Sequence, residues 1–67
     1  MKSPKQIGAD IAALRGDTPR EVVASAVGVG VSAMAMYENG ERVPRDETKV
    51  ALANYFHTTV GFLFFGD

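Results

Sequence analysis

Apolar residues recur every three or four positions along much of this chain, which is the spacing of amphipathic α-helices. In the first such segment Ile7, Ile11 and Leu14 follow one another at spacings of four and three, up to Gly16-Asp17. Ser3–Gln6 precedes them and supplies an N-cap serine, a proline at the first helical position and a capping-box glutamine. The pattern predicts a first helix that begins at this proline.

Two further short helices are predicted on either side of a glycine-containing turn. Thr18–Glu21 repeats the start signal of the first helix, and Gly28 is placed to end the second helix in the left-handed conformation. A third helix is predicted from about Val31 to Asn39, with Gly40 as its stop. The inward-facing positions of the second helix are expected to be Val22, Val23 and Ala26. Two short helices joined in this way form a helix-turn-helix outline over about residues 19–39.

Two more helices follow a polar loop that contains Pro44. Asp46 is placed to cap a fourth helix, and Thr58-Thr59 to cap a last short helix over Val60–Phe65. The buried stripe of the fourth helix is expected from Val50, Ala53 and Phe56, with Leu52 and Tyr55 on its borders. No run of alternating residues is long enough to indicate a strand. The sequence therefore predicts an all-α fold of five short helices, with residues 1–67 as a single domain.

Composition narrows the classes of function. The chain has no cysteine, and its one histidine, His57, has no second imidazole with which to share a metal, so neither a metal nor a cofactor is expected. No apolar run approaches the roughly 20 residues that span a bilayer, and the N-terminus lacks a signal-peptide pattern, so a cytoplasmic protein without membrane contact is expected. A formal net charge of −1 gives no global attraction to phosphate. Any nucleic-acid binding must therefore rest on a local basic face.

The segment Met36–Pro44 is the most specific motif in the chain. Its sequence, MYENGERVP, resembles the tyrosine, glutamate, any residue, glycine and basic loop ending in proline of Xre and phage-repressor helix-turn-helix proteins, the family of the λ and Cro repressors. Further matches to the family pattern are Leu14-Arg15, Ala24, Gly28, Leu52-Ala53 and Leu63-Phe64. The resemblance covers about residues 7–65 and implies a λ-repressor-like fold. It also implies a DNA-binding transcriptional regulator that occupies an operator on double-stranded DNA, as a homodimer.

The resemblance also implies roles for individual residues. It pairs Arg15, at the end of helix one, with Glu38, at the end of helix three, and it places Met34 in the core. It sets the first residues of helix three against base edges and nearby residues against phosphates. The DNA-binding residues implied in this way are Arg20, Gly30, Val31, Ser32, Ala35, Met36, Asn39 and Arg42.

Helix three offers few groups that can distinguish one base from another. A good bidentate contact gives about 1–3 kcal/mol of discrimination, and no side chain on this helix can make one. Ser32 can form a single hydrogen bond, while its apolar neighbours can contact thymine methyl groups. Phosphate contacts from Arg20 and Arg42 are therefore expected to contribute more than base contacts. Three lysines are expected to be solvated: Lys2, Lys5 and Lys49.

The same apolar surface supports a hypothesis from another class of function. A face formed by Val31, Ala33, Ala35 and Met36 would suit a protein partner, which would make the domain a protein-interaction or antitoxin-like module with weak or no DNA binding. The match of Gly28–Ala33 to a dinucleotide fingerprint lacks the strand and βαβ unit that such a site needs. No nucleophile or carboxylate stands at a spacing that would orient His57, so neither enzymatic activity nor a small-molecule substrate is expected.

Four consecutive large apolar residues, Phe62–Phe65, stand near the end of the chain. One helical turn cannot bury all four side chains in a core this small, so at least one is expected to be available to a second copy. The predicted dimer interface consists of Phe62, Phe64 and Phe65.

Overall fold

The computed structural model of the protein describes residues 1–66, which form five helices and contain no strand. The helices are α1 (Pro4–Arg15), α2 (Arg20–Val27), α3 (Val31–Glu38), α4 (Asp46–Tyr55) and α5 (Gly61–Phe65). The last of these has the wider hydrogen-bonding pattern of a π-helix. The predicted all-α fold of five short helices is confirmed. Within residues 1–66 no helix is both long enough and apolar enough to cross a membrane.

Side-chain caps form at the starts of α1 and α5. At α2 the predicted cap is displaced by one residue, because Pro19 rather than Thr18 occupies the N-cap position and no side chain caps the helix. The backbone N–H of Gln6 donates to Ser3 Oγ at 3.1 Å, so the serine caps α1 as predicted. The backbone N–H of Phe62 donates to Thr59 Oγ1 at 3.0 Å at the start of α5. At α4 the prediction is displaced by one residue, because Arg45 occupies the N-cap position and Asp46 is already helical.

Left-handed glycines end the two central helices. Gly28 has φ 77° and its backbone N–H donates to the carbonyl groups of the last turn of α2. Gly40 has φ 75° just after α3. Both glycines lie where the sequence pattern placed a helix end, because other residues adopt this conformation only at a cost.

The hydrophobic core draws residues from all five helices. Met34 is fully buried, as predicted, and lies in the same core as the isoleucines of α1. The core consists of Ile7, Ile11, Val23, Ala24, Val27, Met34, Tyr37, Leu52, Leu63 and Phe64. Leu14, which the spacing grouped with the isoleucines of α1, is exposed at the end of that helix.

The buried face of α2 differs in part from the predicted one. Val23 is buried as predicted, together with Ala24 and Val27, whereas Val22 and Ala26 are exposed. Positions 22 and 26 are an apolar pair with the same spacing as positions 23 and 27, so the pattern permits either face. Contacts of α2 with both α3 and α4 select the second pair.

The buried face of α4 differs in part from the predicted one. Ala53 is buried as predicted and Phe56 packs against the core, but Val50 is half exposed. The remaining buried residues are Thr48, Lys49 and Leu52. Lys49 is not solvated as expected, because its Nζ lies 6.0 and 5.7 Å from the ring centres of Phe64 and Phe65. Its aliphatic stem is therefore part of the packing. Because lysine is not counted as an apolar residue, the pattern of apolar positions did not include it in the buried stripe.

The C-terminal phenylalanines divide between core and surface. Phe64 is fully buried, and its carbonyl oxygen accepts a hydrogen bond from the backbone N–H of Lys2 at 2.9 Å. Its assignment to the dimer interface is therefore wrong, because the single turn of α5 faces the core with Leu63 and Phe64 together. Phe62 and Phe65 are 57% and 45% exposed.

Candidate nucleic-acid interface

The last turn of α3 lies directly on α1 at Gly8. This glycine is buried, and a Cβ added to it would overlap the carbonyl oxygens of Tyr37 and Glu38. The absence of a side chain therefore permits the close approach that brings the end of α3 beside Arg15. Sequence reasoning missed Gly8, although a glycine inside an otherwise regular helical pattern is the signal that would have found it.

Arg15 and Glu38 meet in a bidentate ion pair. Arg15 Nε donates to Glu38 Oε2 at 2.6 Å, and Arg15 Nη2 donates to Glu38 Oε1 at 2.9 Å. Arg15 Nη1 donates to the carbonyl oxygen of Thr18 at 2.9 Å and so secures the turn between α1 and α2. The structure thus brings together the two residues that the family resemblance pairs. The hydrogen bonds of Arg15 connect α1 with α3 and with the turn before α2.

Arg20, the first residue of α2, is a third member of this cluster. Its Nε and Nη2 donate to Glu38 Oε1 at 3.2 and 3.0 Å. The Glu38 side chain is only 3% exposed, whereas the Arg20 side chain is 38% exposed. Two guanidinium groups and one carboxylate leave a net charge of +1, and Arg20 is the member that carries it towards solvent. Sequence reasoning assigned Arg20 to phosphate alone and did not find this contact.

The cluster keeps its carboxylate ionised despite burial. Burial raises the pKa of Glu38, but hydrogen bonds from Arg15 and then Arg20 outweigh it and hold that pKa below its ordinary value. The hydrogen bonds that Arg15 donates to Glu38 raise the pKa of the Arg15 guanidinium. The cluster is therefore a set of charged groups at neutral pH.

The outer face of α3 is largely apolar. Val31 and Met36 are 46% and 41% exposed, Ser32 is exposed, and Ala35 is partly exposed. Gly30 occupies the N-cap position and is exposed. Most of these predicted base-contacting positions thus share an open surface on which Ser32 supplies the polar side chain.

The loop between α3 and α4 adds charge beside this surface. Arg42 and Arg45 line a groove of about 300 Å³ that lies between this loop and the turn joining α2 to α3. Arg45 Nη2 pairs with Glu47 Oε1 at 3.0 Å, with both side chains well exposed. Asn39 is exposed, and its Nδ2 donates to Glu41 Oε1 at 3.3 Å. Arginine side chains therefore lie both at the end of α3, where Arg20 binds Glu38, and along the loop that follows α3.

Two comparisons with known proteins agree with this geometry. A helix-turn-helix family model matches residues 11–63 of the chain. The NMR solution structure of the DNA-binding domain of the P22 C2 repressor (residues 1–76) matches with a TM-score of 0.85 and 26% sequence identity, covering 100% of this chain and 90% of that chain. No curated protein sequence matches the chain. Because the family model spans most of the sequence and the fold agrees, the chain belongs to the Xre and λ-repressor-like helix-turn-helix family of DNA-binding regulators.

Proposed function

We propose that this protein occupies an operator through α2 and α3, as a homodimer, and so regulates transcription. The observation that carries the proposal is the exposed face of α3, together with Arg20, which binds the last residue of α3, and the exposed Arg42 and Arg45 of the loop that follows α3. Backbone and fold similarity to the P22 C2 repressor domain, itself DNA-binding, supports the same role.

Phosphate contacts supply most of the affinity in this proposal. Three arginines per subunit give a local basic face on a chain whose formal net charge is −1. If each arginine meets one phosphate, a dimer neutralises about six. The logarithm of the affinity then falls with the logarithm of salt concentration with a slope of about −5.

Base discrimination in this proposal is modest. Ser32 gives one hydrogen bond, and Val31 and Met36 contact thymine methyl groups. Positions 30, 35 and 39 complete the contact surface, with Gly30 and Ala35 allowing close approach and Asn39 at its edge.

Selection from random duplex DNA tests the proposal directly. The expected result is enrichment of a pseudo-palindromic site that binds with the salt dependence given above. Arg42→Ala should weaken binding to the selected and to a random duplex alike, because a phosphate contact carries no sequence information. Val31→Ala should instead reduce the difference in affinity between the selected and the random duplex. Val50→Ala, at a similarly exposed valine on α4, is the matched control and should change neither affinity.

A protein-interaction or antitoxin-like module is the second candidate. The exposed apolar side chains of Val22, Val31 and Met36 favour it, because such surfaces suit a protein partner. It predicts no salt-dependent binding to any duplex, and loss of the partner when Val31 is replaced by a charged residue. If the protein is a confirmed dimer and has no affinity for any duplex at low salt, the DNA proposal is overturned and the protein-interaction module is favoured.

A further inference from the structure

We infer that Glu38 is a positioning residue for DNA binding, which holds the Arg20 guanidinium so that its outer N–H groups face a backbone phosphate. The inference rests on the proposed function and assigns a role within that same interface. Its basis is the arrangement in which one buried carboxylate accepts hydrogen bonds from two arginines of different exposure.

The two arginines use their donors differently. Arg15 commits Nε, Nη1 and Nη2 to partners within the domain, and its side chain is 18% exposed. Arg20 binds Glu38 through one edge only, and within residues 1–66 its Nη1 makes no hydrogen bond. Arg15 therefore secures the fold, while the outer edge of Arg20 remains free for a ligand with anionic oxygens.

Charge balance makes that ligand an anion. Among the three hydrogen-bonded groups, Arg15 and Glu38 neutralise each other, so Arg20 leaves the cluster with a net charge of +1. Glu21 acts on Arg15 through space but, within residues 1–66, forms no ion pair with either arginine. The planar guanidinium presents donors on two edges, and it can bind a carboxylate with one edge and a phosphate with the other. Because the side chain is already restrained, less conformational entropy is lost when the phosphate binds.

Simple electrostatics and positioning predict opposite effects of removing the Glu38 charge. Glu38→Gln removes a negative charge near the DNA, which by itself strengthens attraction to phosphate. If Glu38 positions Arg20, the same substitution weakens binding, because Arg20 returns to a mixture of rotamers. The sign of the change therefore separates the two roles.

A double-mutant cycle measures this coupling. Affinity for the selected duplex is determined by fluorescence anisotropy for the wild type, Glu38→Gln, Arg20→Ala and the double variant, at a temperature where melting curves show each to be folded. Glu38→Gln should weaken binding roughly 5- to 10-fold, the range of a lost charge-assisted contact. In the Arg20→Ala background it should cause no further loss. Unchanged or stronger binding by the single variant, or the same loss in both backgrounds, would overturn the inference.

If Glu38→Gln fails to fold, Arg20→Lys can be measured instead, because it leaves the Arg15–Glu38 pair intact. A compact ammonium group does not reproduce the two-edged fork of arginine, so binding should weaken roughly 5-fold with little change in the salt slope. Arg42→Lys gives the comparison at a second proposed phosphate contact. Arg42 forms no ion pair within residues 1–66, so its replacement should weaken binding less than Arg20→Lys does. Val50→Ala, outside the proposed interface, is the control and should leave affinity unchanged.

The two proposals fail in distinguishable ways. Absence of duplex binding by the wild-type dimer would overturn the proposed function, and this inference with it. Duplex binding that Arg20→Lys leaves at the wild-type level would overturn the inference alone.

Discussion

At the level of single residues, backbone conformation decides which glycines of the α2–α3 turn are required. Gly28 has φ 77°, in the left-handed region that other residues adopt only at a cost. Gly30 has φ −76° and ψ 157°, which is ordinary extended backbone, and a Cβ added there meets nothing within 4 Å. Two glycines in one turn therefore differ in their tolerance of a side chain.

Gly30→Ser is expected to stabilise the protein by about 0.5–1 kcal/mol. Serine at this N-cap position would accept a hydrogen bond from a free N–H in the first turn of α3, and it would restrict the unfolded chain. Gly28→Ser is the matched control and should destabilise by about 1–2 kcal/mol, because it forces a side chain into the left-handed region. Denaturant unfolding of both variants provides the measurement. Lower stability of the Gly30 variant would contradict the open space and cap geometry described for this turn.

At the level of elements, the contact between α1 and α3 fixes where the exposed face of α3 lies. Gly8 allows the backbones to approach, and a Cβ on Gly40 would lie 3.0 Å from the Cα of Lys5. Lys5 is exposed, as predicted, and its Nζ also donates to the carbonyl oxygen of Asn39 at 3.0 Å. The first half of α1 therefore holds the C-terminal end of α3, where a positive charge also favours the helix dipole.

Gly8→Ala is expected to destabilise the protein by about 1–3 kcal/mol, although alanine is the better helix former. The added methyl group would push the last turn of α3 away from α1, and this overpacking outweighs a gain in helix propensity of about 1 kcal/mol. Ala9→Ser, at the exposed neighbouring position, should change stability by no more than about 0.5 kcal/mol. Thermal unfolding of the two variants distinguishes them, and a stabilised Gly8 variant would argue against the close approach.

The sequence predicted local features of these elements better than their relative orientation. Capping residues such as Ser3, and the stop at Gly40, located helix ends because their effects act within a few residues. The buried faces of α2 and α4 depend on contacts between helices, and a buried Lys49 has no local signature. The contact between Arg20 and Glu38 likewise requires the folded turn between α1 and α2, so residue types alone did not reveal it.

At the level of the whole molecule, apolar surface remains exposed between α1 and α5. Phe62 and Leu14 border an apolar groove of about 260 Å³ between α1 and α5. Lys2 helps to shape this groove, since its Nζ pairs with Asp10 Oδ2 at 2.8 Å and lies 5.4 Å from the ring centre of Phe62. Burying such surface is favourable by about 25 cal/mol per Å², so the exposed rings suit contact with a second copy.

Replacement of both Phe62 and Phe65 by serine is expected to abolish dimer formation without unfolding the domain. Both rings are about half exposed, so their loss removes little from the core. Sedimentation equilibrium should report a monomer for this variant and the proposed dimer for the wild type. Phe64→Ala provides the contrast: it should destabilise the fold by about 3–5 kcal/mol, because this ring is fully buried.

The variant in which serine replaces both Phe62 and Phe65 also tests the link between dimer formation and operator binding. A two-fold dimer must hold its α3 faces about 34 Å apart to reach two half-sites. Loss of the dimer should therefore reduce affinity for a duplex with two half-sites much more than for a duplex with one, because only the former gains from linkage of two contacts. Equal losses on both duplexes would assign the phenylalanines a role in DNA contact or folding instead. A wild type that stays monomeric to high micromolar concentration, free and on the two-half-site duplex, would argue against the dimer altogether.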